Sequence, residues 1–183
     1  YGVDTTDPST LSSNSIRSIQ EDPNGTLWVA TDKGINRFHP QTGLATRFLH
    51  SPRDPGSLAS DSVRVVYVDG NGNVWIGTNH GLDRYDRSSG FFVHYQNDPG
   101  VETSLSNDFI TTINESSDSV LWIGTNGGGL NKYYRGQDRF SYYHFSPTDP
   151  NTSSMNSVQA VSVDKKADIW IGTNNSGLYR LDP

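Results

Sequence analysis

The sequence predicts an all-β chain written as one unit of about 47 residues repeated four times. Three observations predict it. Four tryptophans stand at near-equal spacing, β-branched and aromatic runs surround each of them, and turn residues separate the runs.

Trp28, Trp75, Trp122 and Trp170 lie 47, 47 and 48 residues apart. Twelve residues before them come Ile16, Val63, Ile110 and Val158; nine before come Ile19, Val66, Ile113 and Val161. Fourteen before stand Asn14, Asp61, Asp108 and Asn156, and three after stand Thr31, Thr78, Thr125 and Thr173. A Gly-aliphatic pair follows in every copy, at Gly34-Ile35, Gly81-Leu82, Gly129-Leu130 and Gly177-Leu178, with one extra residue before it in the last two. Then come Arg37, Arg84, Lys132 and Arg180, each followed by Phe38, Tyr85, Tyr133 or Leu181.

Each unit divides into four short runs. In the second copy these are SVRVVYV, NVWIGT, GLDRYD and FFVHYQ, broken by DGNG, TNHG and DRSSG. Runs rich in Val, Ile, Tyr, Phe, Trp and Thr between such breaks read as strands, and Asn71-Gly72 is a hairpin signal. Four strands per unit at this period are β-propeller blades, not helical solenoid repeats. The blades fall at about residues 9–55, 56–102, 103–150 and 151–183, the last without its outer strand.

Composition agrees. Only 32% of the 183 residues are hydrophobic, 19% are charged and 18 are Gly, which favours turns over helices. No apolar run is long enough to span a membrane as a helix, so no membrane insertion is expected of this segment. A net charge of −6, with no basic cluster, weighs against nucleic acid as a partner. With no cysteine there is neither a disulfide nor a thiolate metal site, and this does not fix the compartment.

The copies WVATDKGINRF, WIGTNHGLDRY, WIGTNGGGLNKY and WIGTNNSGLYRL, with the aliphatic and Asn/Asp positions before them, resemble the two-component regulator propeller repeat. The resemblance covers nearly the whole chain. It implies the extracytoplasmic, periplasmic sensor portion of a bacterial receptor, in many cases a hybrid histidine kinase and in some one with a cyclase-type output. It further implies a response to oligosaccharides. Such sensors usually carry rings of about seven blades, where this chain has just under four. Three architectures fit: a part of a larger ring, a four-bladed ring closed by the N-terminal YGVDTTDP, or a partial ring completed by a second copy. The first is preferred, and an open arc would expose the apolar flanks of its end blades.

The chemistry is sought where it could hide. DGNGN at 69–73 resembles the start of a calcium loop, yet Val74 and His80 stand where Gly and Glu are required. The matching copies read DPNGT, SSDSV and DKKAD, so Asp22, Asp69 and Asp164 are expected to cap hairpins and no metal is expected. His39, His50, His80, His94 and His144 form no metal-binding pair, and His94 and His144 are expected on the exposed outer strand. No nucleophile elbow, P-loop or dinucleotide fingerprint is present, so neither catalysis nor a cofactor is expected. The tryptophans are expected in the core. The Arg or Lys after each Gly-aliphatic pair is expected on the face opposite the following aromatic, paired with a carboxylate. Asn14, Asp61, Asp108 and Asn156 are expected to cap the loop before each first strand.

Function is expected where the copies differ. The loops joining second to third strands read TDKG, TNHG, TNGGG and TNNSG; those between blades read DPSTLSSN, DPGSLASD, DPGVETSLSND and DPNTSSMN. In a propeller both sets crowd one face. Amides and hydroxyls with little formal charge suit neutral, hydroxyl-rich ligands, so Asp32, Lys33, Asn79, His80, Asn126, Asn174 and Asn175 are the candidate binding residues. The expected partner is an oligosaccharide or another small polar ligand. The alternative is a structural propeller that mediates assembly or dimerisation; a propeller lyase or glycosidase is the least favoured reading.

Overall fold

The computed structural model describes residues 1–116, 120–144 and 156–182, in two compact units, Tyr1–His94 and Tyr95–Pro183. In the first unit, β1 (Ile16–Glu21), β2 (Leu27–Thr31), β3 (Gly34–His39) and β4 (Leu44–Phe48) form one antiparallel sheet in chain order. A second sheet follows, made of β5 (Val63–Val68), β6 (Val74–Thr78), β7 (Gly81–Tyr85) and β8 (Phe92–Tyr95). The second unit holds β9 (Ile110–Glu115), β10 (Leu121–Thr125), β11 (Leu130–Tyr134) and β12 (Arg139–Tyr143), with a 3-10 turn at Arg135–Gln137. Its other sheet is β13 (Val158–Val163), β14 (Ile169–Thr173) and β15 (Gly177–Leu181). Strand boundaries follow the runs read from the sequence within a residue or two, and there is no α-helix among the described residues. Residues 117–119 of the third copy's first turn, and most of DPNTSSMN, lie outside those described.

The hairpins between first and second strands form as expected. Gly72 N–H donates to Asp69 O (2.8 Å), and Asp69 N–H donates to Asn73 O (3.0 Å). Gly72 takes the left-handed position at φ +78°, and Gly25 does so at +76°. Asp69 is the cap: Oδ1 accepts from the Asn71 and Asn73 amides (both 2.9 Å) and Oδ2 from Trp75 Nε1 (2.8 Å). Asp22 and Asp164 repeat this pattern toward Trp28 (3.3 Å) and Trp170 (3.0 Å), and Ser116 Oγ accepts from Trp122 (3.2 Å). These carboxylates are filled with N–H donors, the opposite of a calcium cradle. At the fourth hairpin Ala167 occupies the left-handed position, φ +69°, that glycine takes in the first two. Ala167→Gly is therefore expected to raise stability by about 0.5–1 kcal/mol, read as a higher midpoint in urea.

Trp28, Trp75 and Trp122 are fully buried and Trp170 half-buried. Cross-strand register pairs Trp28 with Arg37, Trp75 with Arg84 and Trp122 with Lys132, placing each cation beside its indole. Arg84 Cζ lies 5.9 Å from the Trp75 ring centre and Lys132 Nζ 5.2 Å from that of Trp122, while Arg37 Cζ lies 5.8 Å from Phe48. These contacts are cation–π in kind, so the expected carboxylate pairing is corrected at Arg37 and Lys132. It holds at Arg180, 3.5 Å from Asp168.

Within each unit the blades meet along their first strands. Trp28, Ala30 and Ile35 of the first blade pack with Val63, Val66, Val74 and Ile76 of the second. Trp122 and Leu130 of the third pack with Val158, Val161, Ile169 and Ile171 of the fourth. Polar stitches accompany the seam: Arg17 Nη1 donates to Val63 O (3.3 Å) and Thr111 Oγ1 to Val158 O (2.6 Å). The Asn/Asp fourteen residues before each Trp closes the loop entering its blade. Oδ1 of Asn14, Asp61 and Asp108 accepts from the amides of Val3, His50 and Asn97 (2.9, 2.7 and 2.6 Å).

Candidate functional site

The hairpins carrying the candidate residues rest on one repeated device. The Thr31 hydroxyl donates to Gly34 O (2.9 Å) and accepts from Lys33 N–H (3.0 Å). Thr78 does the same toward Gly81 O and the His80 amide, each 3.0 Å. Thr125 reaches Gly129 O (2.9 Å) and Thr173 reaches Gly177 O (3.0 Å). The glycine is required: Gly34 and Gly129 sit at φ +92° and +82°, and a Cβ there would run into the carbonyls of Phe48 and Tyr143. The tip residues between Thr and Gly are held at both ends and face outward. Asp32, Lys33, His80, Asn126, Asn174 and Asn175 are exposed, and Asn79 is half-buried.

Within each unit the inter-blade loops reach these tips. In the first unit, Ser60 Oγ donates to Asn79 Oδ1 (2.6 Å), and His80 Nδ1 lies 2.9 Å from the same oxygen. The Asp32-Lys33 hairpin is tied to that loop through Gly34 N–H to Asp61 O (2.7 Å). In the second unit, Ser157 Oγ donates to Asn126 Oδ1 (2.8 Å) while Ser157 O accepts from Asn174 N–H (2.8 Å). The structure thus groups Asp32, Lys33, Asn79 and His80 around residues 60–61, and joins Asn126 to Asn174 through Ser157; Asn175 sits at a tip, φ +73°. Sequence reasoning missed Ser60 and Ser157. Ser157 had a weak signal, since Ser15 and Ser62 occupy its position in the first two copies.

Among the described residues no cluster of His, Asp or Glu could hold a metal ion. The amides, hydroxyls and single charges here can exchange hydrogen bonds with a polar ligand. A wide groove of about 430 Å³ lies elsewhere, lined by Glu102, Thr103, Tyr134, Arg139, Phe140, Ser141 and Tyr142; none of the candidate residues borders it.

One ionisable pair departs from expectation. His94 was expected to be a surface residue of the outer strand; its Nδ1 instead meets Asp83 Oδ1 at 2.6 Å and its Nε2 meets Pro55 O at 2.8 Å. Asp83 is fully buried, and its Oδ2 accepts from the Ala59 amide (2.8 Å). Both ring nitrogens face oxygen atoms, an arrangement suited to a doubly protonated imidazole. The Asp83 carboxylate holds His94 above the ordinary histidine range, and burial holds Asp83 above the usual carboxylate range. Asn36 and Asn131 fill the Asp83 position in the first and third copies, accepting from Ser12 and Ser106 amides (both 2.9 Å).

Antiparallel sheets of three or four strands, stitched in pairs along their first strands within each unit and presenting clamped hairpins, define a β-propeller protein. Residues 10–33, 57–80 and 104–127 match the family described as two component regulator propeller, one match in each of the first three repeats. The extracellular domain of a putative hybrid two component system from B. thetaiotaomicron is similar at TM-score 0.82 and 24% identity. That likeness covers 94% of this chain but only 24% of the other, so the chain spans a minor part of that structure. PorZ, a surface component of the Porphyromonas gingivalis type-IX secretion system, is similar at TM-score 0.66 and 16% identity, over 99% of this chain and 28% of that one. Virginiamycin B lyase from Staphylococcus aureus gives 0.63 and 15%, over 96% and 58%. At these identities the likenesses establish the propeller fold. No curated protein sequence matches the chain.

Proposed function

We propose that the chain is a non-catalytic recognition segment of an extracytoplasmic sensor, binding a neutral, hydroxyl-rich ligand such as an oligosaccharide on its hairpin tips. One observation carries this reading: the Thr–Gly frame is the same in all four copies, while the tips it holds outward differ in every one. A shared frame with divergent, amide-rich tips is what recognition of an irregular polar ligand needs. The family match in three of the repeats supports the sensor role, since its description is that of a two-component regulator. To signal, the ligand must bind two receptor states unequally, with the change passed to an output domain.

Titration calorimetry against a panel of oligosaccharides tests it. A panel member should bind, and Asn126→Ala or Asn174→Ala should weaken it about tenfold, roughly the loss of one or two hydrogen bonds. Silence across the panel would favour the assembly-scaffold reading, and turnover of any member would show the chain to be an enzyme.

A further inference from the structure

The groove of about 430 Å³ beside β12 lies away from the hairpin tips, and every residue of its wall belongs to the third copy. Its origin shows in a comparison of the copies. The chain entering each of the first three blades crosses the outer strand in one way: Ser9 O, Gly56 O and Thr103 O accept from the amides of Ala45, Phe92 and Phe140 (2.6, 2.9 and 2.9 Å). That shared bond fixes which residues correspond. Two residues after the amide, the first two copies bridge the strand to the entering chain. Arg47 Nε donates to Thr10 O (2.7 Å), and His94 Nε2 meets Pro55 O (2.8 Å). The third copy has Tyr142 there, 47% exposed and with no side-chain hydrogen bond among the described residues. No such bridge joins it to Glu102, the counterpart of Pro55, and both border the groove.

One residue before the amide the copies differ again. Phe91 lies on Gly56, where a Cβ would meet its ring at 2.7 Å. Thr103 brings a Cβ to that place in the third copy, and Arg139 replaces Phe91 and turns to the Tyr134 ring, 5.4 Å from its centre. Leu44, the counterpart of Arg139 in the first copy, is 52% exposed although a four-stranded blade follows it, so this rim of a blade faces solvent. The groove is therefore a feature of the third copy's own residues. Its wall has a defined chemistry. Arg139 has no acidic partner within ion-pair distance among the described residues, and Lys132 lies on the same Tyr134 ring, 5.3 Å from its centre. A guanidinium fork so placed suits a carboxylate. The Thr103 and Ser141 hydroxyls donate and accept, while the Glu102 carboxylate only accepts. Glu102 repels phosphate or sulfate but welcomes a ligand hydroxyl. The volume lies within the roughly 300–1,000 Å³ of small-molecule sites.

We propose that this groove is a second binding site, for a small polyhydroxylated carboxylate such as a sugar acid. Arg139 takes the carboxylate, and Glu102, Thr103 and Ser141 take the hydroxyls. The site does not depend on what the hairpin tips bind.

Titrating the isotope-labelled chain with sodium glucuronate, followed by amide shifts in nuclear magnetic resonance, tests the proposal. Glucuronate should produce saturable shifts at Thr103, Ser141 and Tyr142. Glucose and acetate each carry only part of the recognised chemistry, and should bind at least about tenfold more weakly. Arg139→Gln, at an exposed position, should weaken glucuronate about tenfold and leave glucose unchanged. Thr103→Gly with Arg139→Phe installs the second copy's residues; it should fill the groove and abolish the shifts while the rest of the spectrum stays in place. If that double variant loses its dispersed spectrum, Arg139→Gln decides alone. No saturable shift with glucuronate overturns the proposal. So does acetate binding as tightly as glucuronate, or an Arg139→Gln variant that binds glucuronate like wild type. Shifts confined to Asn79, Asn126 or Asn174 would also overturn it, while supporting the hairpin-tip reading; shifts confined to the groove would do the reverse.

Discussion

His94→Ala is expected to lower the stability of the chain by about 3 kcal/mol near neutral pH, because it strands a buried carboxylate. Asp83 is fully buried and its remaining partner, the Ala59 amide, cannot neutralise it. The wild-type chain should show a pH dependence with the same origin. A histidine raised by folding contributes stability that is fully present below its unfolded pKa of about 6.5, and loses it as pH rises through the folded value. The raised Asp83 works in the same direction, since both shifts say that the folded pair keeps its proton longer than the unfolded chain does. His50 also acts on Asp83, favouring its carboxylate when charged. Urea unfolding at about pH 5.5 and about pH 8.5 should give the lower stability at the higher pH, and Asp83→Asn should flatten the difference. The first and third copies show what else that variant needs: Asn36 and Asn131 donate to Ser12 Oγ (2.9 Å) and Ser106 Oγ (2.8 Å), where the second copy has Ala59. Asp83→Asn with Ala59→Ser should therefore be the more stable form. A flat wild-type profile between the two pH values would refute the ion pair.

The second large effect is at the repeated tryptophan, and its size should depend on which copy is changed. Trp75→Ala removes a fully buried indole from beneath Arg84 and leaves Asp69 Oδ2 without its 2.8 Å donor. The expected loss is about 3–5 kcal/mol. Trp75→Phe keeps most of the volume and removes the N–H, so about 1 kcal/mol should go with the hydrogen bond alone. Trp170→Ala should cost only about 1–2 kcal/mol, because that indole is half-buried. Equal losses at Trp75 and Trp170 would mean that the fourth blade is as fully packed as the second.

Much of the fold was open to reading because the repeat wrote it four times. Spacing located the blades, and Gly25 and Gly72 marked the tight turns. The place of Arg84 beside Trp75 was also within reach: a two-residue hairpin at Asn79-His80 pairs Thr78 with Gly81, and counting outward from it sets Trp75 opposite Arg84. The Asp83–His94 pair was not legible. Strand alternation does not say which inward positions on neighbouring strands touch, and the pair exists in one copy only, where internal comparison gives no help. The candidate tips could be placed from sequence, but Ser60 and Ser157, which join them, lie in the segments between blades that diverge most.

The threonine clamp has a further consequence. Thr31 and Thr78 reach a glycine carbonyl three residues on, and Thr125 and Thr173 reach the equivalent carbonyl four residues on, with O···O distances of 2.9 to 3.0 Å throughout. The hydroxyl absorbs an inserted residue without passing it to the ladder, so the third strand begins in the same register either way. Length as well as identity can therefore drift at these tips while the blade beneath is unaware of it. That makes them natural grafting points, where a binding loop of foreign length could be set into the chain at little expense to its fold.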